Sequence, residues 1–168
     1  MNTRYVIATL LFAAVVLVQA ACGQDVWTGY AFFFEKADFA DHTLEANQDR
    51  ITENVWLTRA NQQGIFNIAQ ESGYTANVSP VDTEWATGEA ADWASLTFEP
   101  WQTWHGSNPP GTVGLNAVAH LVSDHIYVDI RFESWTSLAQ GGGFSYYRAE
   151  EGSPVEPRTW SAVKALYR

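Results

Sequence analysis

The chain has 168 residues, a formal net charge of −10, 46% hydrophobic and 14% aromatic residues, and a single cysteine. That length fits one ordinary domain with a sizeable core, and one cysteine excludes an intramolecular disulfide. Phosphate backbones are bound through clustered Lys and Arg; here the only lysines are Lys36 and Lys164 and the arginines are scattered, so no nucleic-acid partner is expected.

Residues 1–21 have the form of a secretory signal, with Arg4 before an apolar run from Tyr5 to Val18 and a small-residue exit at Ala20 and Ala21. The run of about 14 residues is short of the ~20 that cross a hydrocarbon core. Cys22 follows at once, where lipoprotein processing would acylate it and make it the mature N-terminus. Gln19 departs from the aliphatic residue usual at such sites; cleavage after Ala20 would instead leave a secreted protein with a free thiol. The expectation is an exported chain held at the membrane of a bacterial cell envelope by Cys22, with residues 22–168 as a single domain.

Strand candidates are Val26 to Glu35, Asn54 to Arg59, Gly64 to Ala69, Ser95 to Trp101 and Phe144 to Arg148, separated by turn signals at Asn61 to Gly64, Ser79 to Pro80, Gly106 to Gly111 and Gly141 to Gly143. Residues 117–135 read as a hairpin. If Ser123 and Asp124 form its turn, His120 faces Tyr127, and Ala117, Ala119 and Leu121 lie beside Phe132, Ile130, Val128 and Ile126 on one apolar face. The tail reads as a short helix over 159–167, with Thr159 as its cap and Trp160 at its start. Short strands at this spacing, rich in aromatic residues, predict an all-β fold: one antiparallel β-sandwich or jelly roll with a C-terminal helix.

The strings NQDRITENVWLTRANQQGIFNIAQES, WHGSNPP, IYVDIRFESW and GGGFSYYR, within roughly residues 25–150, resemble a group of secreted, β-rich bacterial proteins; the ending TWSAVKALYR resembles a short tail of some exported bacterial proteins. The resemblance implies export and an extracytoplasmic β domain, and it transfers no activity and no catalytic residue. In that group the domain often stands beside C-terminal sorting modules, whereas here the anchor falls at the N-terminus.

Three side-chain groups could carry chemistry. Asp38, Asp41, Glu45, Asn47 and Asp49 are hard oxygen donors of the kind that bind calcium, although the EF-hand spacing is absent and a solvated acidic loop is the alternative. Trp101, Trp104 and His105 lead into the rigid loop Gly106 to Gly111; aromatic faces stack on sugar rings, with Gln102, His105 and Asn108 placed to orient hydroxyls. The alternative is core packing, which applies equally to Trp85, Trp93, Trp135 and Trp160. The outward face of the hairpin is expected to carry His120, His125, Tyr127, Asp129, Arg131, Glu133 and Trp135, as a ligand surface or as a charge ladder. Asp129 and Glu133 as a glycosidase pair would sit about 13 Å apart along a strand, against the roughly 5 Å or 6.5–9.5 Å that such mechanisms use.

Other motifs are weaker. There is no HExxH string, no GxSxG elbow and no strand-to-helix phosphate loop, and Asn77-Val-Ser marks a surface loop. The expected function is a non-catalytic binding or structural module, with carbohydrate as ligand through Trp101, Trp104, His105, Asn108 and Tyr127 and a structural calcium in the segment 38–53, which also includes Glu53. The alternatives are a polysaccharide hydrolase or lyase of jelly-roll type, and a surface assembly subunit joined through exposed aromatics or a free sheet edge.

Overall fold

The computed structural model describes residues 23–152. Along them run β1 (Asp25–Trp27), β2 (Phe32–Lys36), β3 (Asp49–Arg50), β4 (Trp56–Arg59), β5 (Ile65–Asn67), β6 (Thr83–Thr87), β7 (Ala117–Leu121), β8 (Ile126–Trp135) and β9 (Phe144–Arg148). Six strands form one sheet, ordered β2-β9-β8-β7-β6 with β1 beside β8, and β3-β4-β5 form a second. Only β1 and β8 pair in parallel; the other pairings are antiparallel, which makes this an all-β sandwich. The signal segment 1–21, the lipidation candidate Cys22 and the helix expected over 159–167 lie outside the described residues. No helix among the described residues is long and apolar enough to cross a membrane.

The long strand β8 organises the larger sheet because its two halves have different neighbours. Its first half lies between β1 and β7, and its second half pairs with β9. The hairpin register is the one the apolar alternation requires, with His120 opposite Tyr127 and Leu121 opposite Ile126. Ala117, Ala119, Leu121, Val128, Ile130 and Phe132 accordingly face inward, where they meet Ile51, Val55, Leu57 and Ile65 from the smaller sheet and its connections. Burying each large apolar side chain in this layer contributes about 1.5–3 kcal/mol, so the period-2 pattern both sets the register and holds the layers together.

A buried ion pair crosses this core. Arg148 on β9 donates to both carboxylate oxygens of Asp49 on β3, at 2.7 and 2.8 Å, and the Tyr146 hydroxyl donates to the same carboxylate at 2.6 Å. The two sheets are thus joined by a paired charge as well as by packing.

The outer face of the larger sheet is not a free ladder. Residues Ala90–Ser95 form a 3-10 helix that, with Leu96 and Phe98, covers Val118 and Tyr127. Asp129 is buried beneath that cover, accepting the backbone N–H groups of Ala90 at 2.6 Å and Gly29 at 2.9 Å. Of the expected charge ladder only the Arg131–Glu133 contact forms, at 3.3 Å.

Several elements differ from the sequence expectation. The strand expected over Val26 to Glu35 is divided into β1 and β2, with Gly29 between them at φ +91°; that backbone region is open to glycine and costly for other residues. Ser95 to Trp101 is not a strand: only Glu99 pairs there, with Trp85, while Leu96 and Phe98 pack on the outer sheet face and Pro100 precedes a one-turn helix at Trp101–Trp104. Tertiary burial of Leu96 and Phe98 overrides their local strand preference. The strands β3 and β6 lie where none was expected, with Trp85 of β6 turned into the core.

Candidate functional site

The five residues expected to bind a ligand divide between the two faces of the larger sheet. Trp101 is 1% exposed, with its ring 4.7 Å from Trp85 and 5.4 Å from Phe132, so it is a core residue with no face for a sugar. Trp104 stacks on Trp85 at 5.8 Å and donates its indole N–H to the Thr87 hydroxyl at 3.0 Å. Tyr127 lies on the opposite side of the sheet, enclosed between Trp93 at 4.6 Å and His120 at 4.3 Å. Tyr127 on β8 points outward while Phe132 points inward, an odd against an even position, so the sheet stands between Tyr127 and the Trp101 group. His105 and Asn108 remain together and both line an open cleft.

The calcium candidates are likewise dispersed. Asp49 is held by Arg148 and Tyr146, Asp38 accepts the Gly143 N–H at 2.8 Å, and Asp41 accepts both the backbone N–H and the hydroxyl of Thr43. The Asn47 amide donates to the Asp41 carbonyl, and Glu45 contacts Arg50. Among the described residues no three His, Cys, Asp or Glu side chains group to hold a metal ion. Each carboxylate instead organises nearby backbone or balances an arginine, because folding places their carrier segments at different depths.

The cleft has a volume of about 710 Å³ and sits at one end of the sandwich. Three connections build it: the β4–β5 turn with Gln62, Gln63 and Gly64; the segment from Gln102 to Pro110 after the one-turn helix; and the loop after Trp135 with Ser137, Leu138 and Ala139. Tyr74 closes one side. Its ring lies on Gly64 so closely that a Cβ there would come within 2.6 Å of a ring carbon. Its hydroxyl donates to the Gln102 side-chain oxygen at 2.9 Å, and the Asn77 backbone N–H donates to the same oxygen at 2.8 Å. A part-exposed aromatic ring is therefore fixed in orientation from below and at its tip. At the rim Leu138 is 80% exposed, with φ +57°.

Two cleft residues have unusual electrostatics. Both ring nitrogens of His105 are enclosed without a hydrogen-bond partner among the described residues, and burial pushes its pKa down, so the imidazole is neutral at pH 7. Arg59 is 2% exposed and lies 4.0 Å over the Trp135 ring, and desolvation pulls its pKa down to about 10, with Asp38 opposing. None of the described cleft-lining residues is Asp or Glu. The lining combines Trp, Tyr, Pro and Leu with amides and hydroxyls, which suits a ligand with both apolar faces and many hydroxyl groups.

Sequence reasoning found Gln102, His105, Asn108 and, as an ambiguous aromatic, Trp135. It missed Tyr74, Arg59, Gln63 and Leu138, which lie in three separate parts of the chain. The available signal was the turn at Asn61 to Gly64, whose glycine turns out to serve a side chain 10 positions away. Comparison of the chain with protein-family models, with curated proteins and with solved structures gave no match.

Proposed function

We propose that this protein is an exported, non-catalytic carbohydrate-binding module, lipid-anchored at the cell envelope through Cys22, and that it binds its ligand in the cleft at the end of the sandwich. The observation that carries the reading is the Tyr74 ring, laid against Gly64 and bonded at its hydroxyl to Gln102 in a cleft rich in amides. An aromatic face with fixed orientation and nearby amide groups is what stacking on a sugar ring needs. The stacking residue is thus Tyr74, with Gln63, Gln102 and Asn108 as hydrogen-bonding partners, in place of Trp101 and Tyr127. The test is titration calorimetry of the full-length protein against a panel of soluble neutral and acidic polysaccharides. Binding to at least one of them is expected, weakened about fivefold or more by Tyr74→Ala, since an aromatic contact is worth about 1 kcal/mol. Absence of binding across the panel would refute the reading.

A polysaccharide hydrolase has less support here. Among the described lining residues the two-carboxylate mechanism of a glycoside hydrolase has no Asp or Glu to use, and Asp129 is occupied by two backbone N–H groups beneath the 3-10 helix. One observation favours a second reading as an assembly subunit. Phe33 and Tyr147 are exposed and in ring contact at 4.8 Å on the outer face, at the sheet edge formed by β2. Concentration-dependent sedimentation that is abolished by Phe33→Ser would support that reading.

A further inference from the structure

Buried charges in proteins are ordinarily paired, and this chain provides its own comparison. Arg148 is buried and holds Asp49 through two bonds. Arg59 is also buried, yet among the described residues its hydrogen bonds all go to backbone carbonyls: Nε to Gln63 at 2.7 Å, and Nη1 to Thr136 at 2.9 Å and Gly143 at 3.1 Å. Those bonds hold the guanidinium rigid and leave Nη2 without a hydrogen bond among the described residues. Arg59 also lines the cleft.

The surroundings add to this. Lys36, 1% exposed, is another buried cation, and among the described residues its ammonium has the Ala37 carbonyl as acceptor at 3.3 Å. The charges of Lys36 and Arg59 act on each other, and Asp38 acts on both. The Asp38 carboxylate is engaged with the Gly143 backbone and has no hydrogen bond to either cation among the described residues. A chain of net charge −10 thus has a cleft with no Asp or Glu among its described lining residues and with Arg59 in its wall.

We propose that the cleft takes an acidic saccharide, a polymer of uronic acids, whose carboxylate pairs with Arg59 while a sugar ring stacks on Tyr74. This rests on the carbohydrate reading above and names the ligand class for the same site. Carboxylate recognition by a pre-oriented guanidinium is strong and directional. Sugar hydroxyls could accept from Arg59 too, but would leave its charge unpaired. The surrounding acidic surface repels an anionic polymer at long range, and at 0.15 M ionic strength that repulsion is screened beyond about 8 Å.

The test compares each polyuronate with its own methyl ester, which keeps the sugar and the linkage and removes the charge. Oligogalacturonate, oligomannuronate and oligoglucuronate, each with its ester, are titrated into the full-length protein at 0.15 M salt. At least one acid is expected to bind about tenfold or more tightly than its ester, the lower end for one hydrogen bond to a charged group. Tyr74→Ala should weaken both forms and Arg59→Lys should narrow the gap between them. The wild-type comparison needs no variant, so it holds even if a substitution at Arg59 unfolds the chain. Esters that bind as tightly as acids in a Tyr74-dependent way overturn the charge pairing and leave the carbohydrate reading standing. No binding by any acid or ester, with neutral glycans bound, overturns only this proposal, and no binding by any glycan overturns both.

Discussion

Replacing Asp49 by Asn tests the polar link between the two sheets. The Asp49 and Arg148 side chains are 2% and 7% exposed, and the carboxylate accepts two bonds from Arg148 and one from Tyr146. Asn has nearly the same shape but no charge, so it leaves the guanidinium buried without its counter-ion. Removing one partner of a buried pair costs about 3–5 kcal/mol, against a total stability of about 5–15 kcal/mol for an ordinary domain. At roughly 4 °C per kcal/mol for a domain of this size, the melting temperature should fall by about 12 °C or more. Urea denaturation of wild type and variant measures the difference directly, and Asp49→Asn/Arg148→Met should recover part of it, because the unpaired charge is then removed. Asp49 also stood among the calcium candidates, so each curve is repeated with chelator and with excess calcium. A loss below about 1 kcal/mol, or one that appears only with calcium present, would refute the account of Asp49 as an internal counter-ion.

Three further outcomes follow from the same geometry, and a fourth follows from the sequence. Trp101→Ala should cost about 3–5 kcal/mol by chemical denaturation, as for a large aromatic removed from a core, whereas a sugar-stacking surface residue would cost little. Gly64→Ala should change stability modestly, since the group its Cβ meets is the part-exposed Tyr74 ring, but should weaken saccharide binding as much as Tyr74→Ala does; unchanged affinity would dissociate the ring from the ligand. His105 has a folded pKa below its ordinary 6.5, so the unfolded chain takes up the proton first and stability falls as pH drops from about 6.5 toward the folded value. In His105→Gln that part of the acid sensitivity should disappear from melting curves recorded between pH 7 and pH 5. Finally, Cys22→Ser should abolish incorporation of labelled palmitate and release the protein from membranes; retained label would place the anchor elsewhere.

The all-β class and the β7–β8 hairpin were legible because a period-2 pattern has only one face on which to bury Val128, Ile130 and Phe132; the register followed only on the condition that Ser123 and Asp124 form the turn. The same alternation said that Tyr127 and Asp129 point outward, but not that the segment around Trp93, Leu96 and Phe98 would fold over them. That cover depends on contacts between residues about 30 positions apart, which no local pattern records. The acidic segment misled for a related reason: Asp38, Asp41 and Asp49 are close in sequence, yet one binds a distant loop backbone, one its own turn and one an arginine across the core.

Composition and hydrophobic spacing were sufficient for the architecture, since burial of alternating side chains is a local demand that each strand satisfies in much the same way. The cleft was decided only by folding. Arg59, Tyr74, Gln102 and Leu138 come from different connections and meet because the two sheets close at that end, and whether an aromatic there packs inward like Trp101 or stays part-exposed like Tyr74 depends on what the rest of the chain lays against it.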